Sequence, residues 1–469
     1  MINGLSKDDR VVILGAGPTG LGAAIRLKEL GHTRFHVYER AGHVGGLAAS
    51  FKDEKGFTWD VGGHVQFSHY RYFDLLMDQA LGDGWLDHQR ESWVWIEDRF
   101  VPYPFQNNIR HLTLETRWRC LKGLVELYKN PPQRRPRNFR EWIEGTFGKG
   151  MADVFMLPYN FKVWAYPPEE LDFQWVGERV AAADLTKVLD HLLHEKDDLS
   201  WGPNTQFRFP ERGGTGRIWE RVADLLGREM ISLRKGAARI EAGSKLVHFS
   251  DGSCERYDAL VSTAPIDDLI ELCGFESLKP AASALKYSAS NVVGVGLSGR
   301  PPEALRTKCW MYFPEDNCPF YRVTVFSNYS PYNVPDPDTT WSLMAEISES
   351  PCKRVDAGRL VESTLEGMRA TGLINNEHQI ISTWSYKAKH GYPTPSLGRD
   401  AALNEIHAAI EPMGIYSRGR FGGWKYEVSN QDHSLMQGVE LVDRLLLGVP
   451  EVTYWFPGTA NNLQHAKLR

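Results

Sequence analysis

The first forty residues alternate apolar runs with a glycine-rich turn and an amphipathic segment. The apolar run Val11–Leu14 predicts a buried strand, and a Gly-Ala-Gly-Pro-Thr-Gly turn at 15–20 follows it directly. Apolar residues then recur at i, i+4 and i+7 over 23–30, which is the spacing of one helix face. A second apolar run, Phe35–Tyr38, ends at Glu39. The order strand, helix, strand predicts a βαβ unit.

The remainder of the chain divides into segments of different periodicity. Residues 112–199 carry helical spacing and no strand alternation, whereas 231–265 return to short strands. Apolar runs between 291 and 348 predict a separate antiparallel sheet, and 414–448 combines a glycine-rich loop with a helix. We therefore predict an α/β fold with a discontinuous Rossmann-like domain over 1–110, 205–285 and 410–469, a mostly helical domain over 111–204 and an antiparallel sheet domain over 286–409.

Each glycine of the first turn has a separate physical role in binding a dinucleotide. Gly15 permits the tight turn, Gly17 lets the backbone approach a pyrophosphate, and Gly20 lets the helix pack closely on the strand. Glu39, which is 24 residues after Gly15, is placed to accept hydrogen bonds from an adenosine ribose. A glycine-rich turn of purely structural use is the alternative, but the complete βαβ unit favours a dinucleotide.

Two glycine pairs distinguish between the possible dinucleotides. Gly45-Gly46 precedes Leu47, and Gly62-Gly63 precedes His64. These pairs resemble the signature of FAD enzymes of the amine oxidase type, in which the first pair approaches the pyrophosphate and the second runs under the isoalloxazine. Glycine pairs also mark hairpins, but their position after a complete βαβ unit predicts FAD.

Composition and charge narrow the class of protein. The 469 residues include 54 Lys and Arg and 59 Asp and Glu, which gives a net charge of −5. This charge provides no general positive surface that would bind nucleic acid. No run approaches the roughly 18 apolar residues of a membrane span, and the start MINGLSKDDR lacks the order of a secretory signal. Six cysteines without a C-x-x-C pair argue against a disulfide framework and a structural zinc site. We expect a cytoplasmic protein that binds no metal, nucleic acid or membrane.

Four segments mix aromatic rings with amide side chains. Such a mixture suits a nucleotide, because a base stacks on a ring while Asn or Gln reads its edge. An aromatic core with polar turns is the alternative interpretation of each segment taken alone. The segments are 101–108, 158–164, 312–322 and 426–434.

The same segments resemble one enzyme family. From Arg10 to about Leu447 the chain is similar to eukaryotic-type UDP-galactopyranose mutases, and the matching motifs include GAGPTGLGAA, DVGGHVQFSHYRYFD, VPYPFQNNI, PYNFKVWA, GERVAA, YFPEDNCPFYR and YEVSNQDHS. The resemblance implies a FAD enzyme of galactofuranose biosynthesis that interconverts UDP-galactopyranose and UDP-galactofuranose, with N5 of reduced FAD as the nucleophile at the anomeric carbon. Because the flavin must start reduced, we also expect NADPH or NADH as the reductant.

The resemblance also implies roles for individual residues. His64 is expected beside flavin N5, as a catalytic residue through its conformation rather than as a general base. Arg179 and Arg322 are the expected catalytic clamp on the diphosphate, whose oxygens match a guanidinium fork. The other implied contacts are Tyr312, Tyr392 and Tyr426 for the diphosphate; Tyr103, Phe105, Gln106, Asn160 and Trp164 for the uridine; Asn204, Arg420 and Asn430 near the galactose; and Gly15, Gly17, Gly20, Glu39, Gly46, Leu47, Gly62, Gly63, His64, Gln431 and Ser434 for FAD.

Other functions stay open at this point. A FAD-dependent amine oxidase or desaturase shares the N-terminal unit, and a binding module similar to Rab GDP-dissociation inhibitors shares the architecture without flavin. The same chemistry on another UDP-hexose, such as UDP-N-acetylgalactosamine, is also open, because fine geometry sets the 2-position pocket. Ala183-Asp184 stands where the family often has Pro-Asn, so the loop there is expected to differ, and the oligomeric state is not predicted.

Overall fold

The computed structural model describes residues 5–177, 180, 182–200 and 205–461. No helix in this part of the chain combines the length and the apolar character that crossing a bilayer takes. The helices are α1 (Pro18–Glu29), α2 (Arg71–Leu81), α3 (Leu114–Lys129), α4 (Phe139–Met151), α5 (Leu157–Trp164), α6 (Leu185–Leu193), α7 (Gly216–Leu226), α8 (Ile266–Cys273), α9 (Lys279–Ala284), α10 (Leu360–Ala370), α11 (Arg399–Ile410), α12 (Gln431–Leu447), α13 (Val452–Trp455) and α14 (Pro457–Ala460). The strands are β1 (Val11–Leu14), β2 (Phe35–Tyr38), β3 (Ser50–Lys52), β4 (Thr58–Asp60), β5 (Trp85–Gln89), β6 (Ser92–Ile96), β7 (Arg99–Pro102), β8 (Gln206–Pro210), β9 (Ile231–Ser232), β10 (Ala237–Glu241), β11 (Leu246–Phe249), β12 (Cys254–Arg256), β13 (Ala259–Ser262), β14 (Tyr287–Ser298), β15 (Trp310–Tyr312), β16 (Arg322–Val325), β17 (Thr340–Glu349), β18 (Ile380–Pro393) and β19 (Ile415–Ser417).

A five-stranded parallel sheet forms the centre of the predicted Rossmann-like domain. Its order is β19-β13-β1-β2-β9, so β1 pairs with β13 on one side and β2 on the other. Val11 and Ile13 pack with helices α1, α2, α7 and α12, whereas Val12 and Leu14 pack with α8, α9 and α11. Every residue of β1 is therefore buried, as expected for a parallel strand covered on both faces.

A seven-stranded sheet forms the second layer of strands, in the order β18-β14-β17-β16-β15-β6-β7. All its pairings are antiparallel except that of β6 with β15. The strand pairing differs from the predicted division at two places. Strands β6 and β7 lie inside the predicted segment 1–110 but belong to this sheet, and α11 lies inside 286–409 but packs on the parallel sheet. Both contacts join segments far apart in the chain, which local periodicity does not report.

The described residues of the predicted helical region, 111–204, form helices α3 to α6. Helix α4 leads through a π-helical turn, Ala152–Met156, into α5. The helices share an apolar core that includes Cys120, Ile143 and Phe147. This region delivers residues 174–177 to the cavity described next.

Candidate active site

A cavity of about 1140 Å³ runs from the carboxyl ends of β1 and β13 to the seven-stranded sheet. Leu14 and Thr263 line the end at the parallel sheet, and Tyr312 and Arg322 line the end at the other sheet. Ligands of open α/β sheets bind outside the carboxyl ends of the strands. The glycine-rich turn and several of the expected substrate residues, among them Tyr312 and Arg322, therefore line the same space.

The end at the parallel sheet has the features of a dinucleotide site. A Cβ at Gly20 would lie 1.9 Å from the carbonyl oxygen of Gly15, so only glycine lets α1 pack on the turn. Helix α1 begins in the cavity wall without an acidic residue in its first turn, and its N–H groups and dipole favour a phosphate there. Glu39 lines the same end of the cavity. Its carboxylate accepts hydrogen bonds from the N–H of Ala16 at 2.8 Å and from the N–H of Ala41 at 2.7 Å.

The second glycine pair lines the middle of the cavity together with the N-terminus of α12. The backbone N–H of His64 bonds to the carbonyl of Gly62 at 2.9 Å, and the imidazole Nδ1 is buried with no hydrogen-bond partner among the described residues. Burial, with Arg420 and Arg322 nearby, lowers the pKa of His64 to about 4. A neutral imidazole with an unused ring nitrogen and a helix N-terminus fit the polar edge of a flavin. The cavity also contains the expected FAD residues Gly15, Gly17, Glu39, Gly46, Leu47, Gly63, Gln431 and Ser434.

A buried carboxylate, Glu346, holds Arg322 in place. Arg322 Nε and Nη2 donate to the two oxygens of Glu346 at 2.6 and 2.8 Å, and the same carboxylate accepts the N–H of Gly63 at 3.1 Å and the hydroxyl of Tyr321 at 2.9 Å. Burial alone would raise the pKa of Glu346, but the charge and hydrogen bonds of Arg322 hold it below its usual range. Sequence reasoning missed Glu346, although an acidic residue in the apolar run of β17 was a signal.

Besides the exposed Arg40, two further guanidinium groups line the cavity without a carboxylate within ion-pair distance among the described residues, those of Arg420 and Arg90. Arg420 is held by the carbonyls of Gly391, at 2.9 Å, and Ser429, at 3.2 Å, and lies 4.9 Å from the ring of Tyr392. Arg90 is 7% exposed and was not predicted. Its sequence neighbours, Gln-Arg-Glu-Ser, carried no signal. Positive charges without a neighbouring carboxylate suit an anionic ligand.

The structure brings together most of the expected substrate residues, but not all of them. Tyr103, Tyr312, Tyr392, Tyr426, Arg322, Arg420 and Asn430 line the cavity. Phe105, Gln106, Asn160 and Trp164 are absent from its wall. Phe105 stacks on Phe155, Asn160 bonds to the carbonyl of Met156 at 2.7 Å, and Trp164 packs edge-on against Tyr426. Arg179 and Asn204 lie outside the described residues.

In the part of the chain that the structure describes, two clusters of histidine and aspartate lie close enough to hold a metal ion, although the sequence predicted no metal ligand. In one, His69 Nδ1 lies 2.7 Å from Asp432 Oδ2; in the other, His390 Nε2 lies 3.1 Å from Asp267 Oδ2. The clusters are His69, Asp432, His433 and Asp267, Asp268, His390. In both, a histidine nitrogen is already paired with a carboxylate.

Comparison with known proteins decides the family. The profile of flavin-containing amine oxidoreductases matches residues 18–396. A crystal structure of reduced UDP-galactopyranose mutase superposes with a TM-score of 0.94 and 49% sequence identity, over 97% of this chain and 98% of that chain. The chain belongs to the flavin-containing amine oxidoreductases and, among them, to the UDP-galactopyranose mutases. The predicted family, fold class and enzyme class are therefore confirmed, and FAD is supported as the cofactor of this mutase family.

More distant relatives share only the fold or a short segment. A fatty acid isomerase from P. acnes superposes with a TM-score of 0.63 at 17% identity, over 94% of this chain and 99% of that chain. The 15-cis-phytoene desaturase of Synechococcus elongatus is 46% identical over 61 residues, which is 13% of this chain and 13% of the desaturase. The chain thus matches only about an eighth of that curated relative's length. The isomerase shows the common fold and gives no information about the substrate of this mutase.

Proposed function

We propose that the protein interconverts UDP-galactopyranose and UDP-galactofuranose with FAD in its reduced state, in a cytoplasmic pathway of galactofuranose biosynthesis. The observation that carries this proposal is the common cavity. One end offers a helix N-terminus and a glycine-rich turn to a dinucleotide, and the other collects guanidinium groups and tyrosine hydroxyls around His64. A nucleotide sugar needs this combination, because its diphosphate is anionic while its sugar must reach the cofactor.

The residues of the chain bind and orient the substrate in the proposed reaction. Arg322, fixed by Glu346, presents its remaining N–H groups to the diphosphate and stabilises the charge on UDP as it departs. Tyr312, Tyr392 and Tyr426 line the same region and supply hydroxyl donors. When bound, reduced FAD supplies the N5 nucleophile that captures the anomeric carbon.

His64 fits a positioning role beside the cofactor better than a general acid. Its pKa near 4 keeps the imidazole neutral around pH 7, so it offers one N–H donor and one acceptor nitrogen. Gly62 and Gly63 bring its backbone to the cavity, and Glu346 anchors Gly63 through the N–H bond described above. His64 is therefore held next to Arg322 by the same carboxylate.

The decisive experiment compares the two redox states of the flavin. Holoenzyme with FAD either oxidised or reduced by dithionite is incubated anaerobically with UDP-galactofuranose, and the products are separated by chromatography. We expect UDP-galactopyranose only from the reduced enzyme, without stoichiometric consumption of reductant. Turnover by the oxidised enzyme, or one peroxide released per substrate, would instead indicate an amine oxidase or desaturase.

Two further experiments test which UDP-hexose is the substrate and which nucleotide reduces the flavin. UDP-N-acetylgalactosamine is offered under the same conditions, and preferential turnover of this sugar would move the assignment to another UDP-hexose. NADPH and NADH are mixed separately with the oxidised enzyme under anaerobic conditions. We propose that one of them reduces the flavin directly, and loss of the oxidised-flavin absorbance measures that step.

A further inference from the structure

The hydroxyl of Tyr312 lies between two groups that can only donate hydrogen bonds. Trp310 Nε1 donates to it at 2.6 Å, and Arg90 Nη2 donates to it at 3.5 Å. An indole N–H and a guanidinium have no acceptor capacity. The proton of Tyr312 therefore cannot point at either neighbour.

Two further neighbours of Tyr312 contact it through their aromatic rings. Tyr103 and Tyr159 approach Tyr312 with ring centroids 5.5 and 5.2 Å away. Tyr312, Trp310 and Arg90 all line the cavity. With its oxygen occupied by incoming donors, the hydroxyl has its own proton left for a group inside the cavity.

We propose that Trp310 is a positioning residue that, together with Arg90, fixes Tyr312 as a hydrogen-bond donor into the cavity. The ligand atom that meets this hydroxyl must then be an acceptor, and an anionic phosphate oxygen is the acceptor that the local charge favours. This inference rests on the proposed function, since it concerns the diphosphate of a nucleotide sugar. It adds a selection rule: a ligand that places a donor at this point leaves two donors facing each other, which is unfavourable.

The surroundings of Arg90 support a phosphate as the acceptor. Its Nε is fixed by Ser92 Oγ at 2.7 Å, and its guanidinium lies 4.6 Å from the ring of Trp310 and 5.6 Å from that of Tyr103. Among the described residues no carboxylate neutralises it. Arg90, Trp310 and Tyr312 thus form one unit with a net positive charge and an outward-pointing donor.

A double-mutant cycle tests the unit in the reduced and oxidised holoenzyme. Trp310→Phe removes the indole N–H and keeps an aromatic ring, and Tyr312→Phe removes the hydroxyl. We expect Trp310→Phe to weaken UDP binding about fivefold, Tyr312→Phe to weaken it at least as much, and the double variant to bind UDP like Tyr312→Phe alone. Uridine, which lacks phosphate, should bind equally to wild type and Trp310→Phe.

Controls separate this inference from general loss of structure. Trp341 belongs to the same sheet and donates its indole N–H to the carbonyl of Ser298 at 3.2 Å in the apolar core, so Trp341→Phe should leave the UDP affinity unchanged. If Trp310→Phe does not retain FAD, benzothienylalanine at position 310, which replaces the indole N–H by sulfur, tests the same bond.

The outcomes distinguish failure of the inference from failure of the proposed function. Wild-type holoenzyme that does not bind UDP would contradict the proposed function itself. UDP binding with additive effects of the two substitutions, or an equal loss of UDP and uridine affinity in Trp310→Phe, would overturn the positioning role and leave the proposed function intact.

Discussion

Arg322 and Glu346 form an ion pair in which the side chains are 20% and 2% exposed. The geometry depends on the planar fork of arginine, which contacts both carboxylate oxygens, whereas a lysine ammonium provides a single charged point. We expect Arg322→Lys to retain the charge but weaken UDP binding roughly 10- to 100-fold. Isothermal titration with UDP measures this loss, and Arg300→Lys, at an exposed pair with Asp338, serves as the control. An unchanged affinity would show that the fork is not needed.

Asp60 is buried at the end of β4, and its titration makes the free energy of unfolding depend on pH. Its carboxylate accepts hydrogen bonds from Ser50 Oγ and from the N–H of Thr215, yet burial raises its pKa to about 7. The folded protein therefore holds this proton up to about pH 7, whereas the unfolded chain releases it near pH 4. The free energy of unfolding falls as the pH rises through that window, by at most about 4 kcal/mol.

Asp60→Asn should remove this contribution. We expect the variant's free energy of unfolding to depend less on pH between about 4 and 7 than that of the wild type, as measured by urea denaturation at several pH values. Burial also raises the pKa of Glu440 to about 7. This residue therefore preserves part of the pH dependence of the free energy of unfolding in Asp60→Asn. Substitution of the exposed Asp338 by Asn provides the baseline, and parallel curves for Asp60→Asn and wild type would contradict the assignment.

The residues whose identity follows from local backbone geometry and spacing were the easiest to predict. Gly15, Gly20 and Glu39 stand at fixed spacings in one local unit. Gly15 has a positive φ and Gly20 lets α1 pack on the turn, whereas the contact of Glu39 with a ribose stays a prediction. Arg90 and Glu346 were missed because their roles come from tertiary neighbours. Arg90 reaches the cavity through a strand pairing, and Glu346 matters because Arg322 is its partner across two strands.

At the scale of elements, helices α1 and α12 approach each other so closely that backbone meets backbone. A Cβ at Gly438 would lie 2.1 Å from the carbonyl oxygen of Thr19, and one at Gly22 would lie 2.5 Å from that of Leu435. This contact joins the helix that starts at the dinucleotide turn to the helix whose N-terminus lines the middle of the cavity. The spacing of the two helix ends that line the cavity thus depends on glycine.

Gly438→Ala should disturb both stability and cofactor binding. The added methyl group would separate α12 from α1 at a cost of about 1–3 kcal/mol, and residues 430–434 would move with the helix. We expect a lower melting temperature and a lower ratio of FAD to protein, measured by calorimetry and absorbance. At Gly243 nothing lies within 4 Å of an added Cβ, so Gly243→Ala is the matched control. Normal FAD content in Gly438→Ala would show that the helices tolerate the shift.

The pairing of β6 with β15 marks the limit of sequence reasoning at this scale. Both strands are short and parallel, and their partners are Ser92 with Trp310 and Val94 with Tyr312. Periodicity correctly predicts strands in the second sheet, but it does not report which distant strand joins them. As a result, β6 and β7, which flank Arg90 and Tyr103, fall in the segment 1–110 predicted for the Rossmann-like domain, whereas their strand pairing joins them to the seven-stranded sheet.

On the scale of the whole molecule, the cavity is lined by the parallel sheet, the seven-stranded sheet, α12 and residues 174–177 of the helical region. A ligand that fills it contacts all of these parts at once and binds the folded chain selectively. Ligand binding therefore raises the free energy of unfolding, and the increase grows with the ratio of the free ligand concentration to Kd. At a ligand concentration one thousand times Kd the increase is about 4 kcal/mol.

Removal of FAD should accordingly lower the melting temperature of the entire chain, and UDP should raise that of the holoenzyme. We expect one cooperative transition for the holoenzyme, because a cofactor that fills the cavity would contact both sheets. We also expect a UDP shift that vanishes in Arg322→Lys at low UDP concentration. Differential scanning calorimetry of apoprotein, reconstituted holoenzyme and holoenzyme with UDP measures both effects. Uridine at the same concentration isolates the diphosphate, since it lacks the anion that Arg322 is placed to bind. Equal shifts with UDP and uridine would mean that the guanidinium groups of the cavity contribute little to binding.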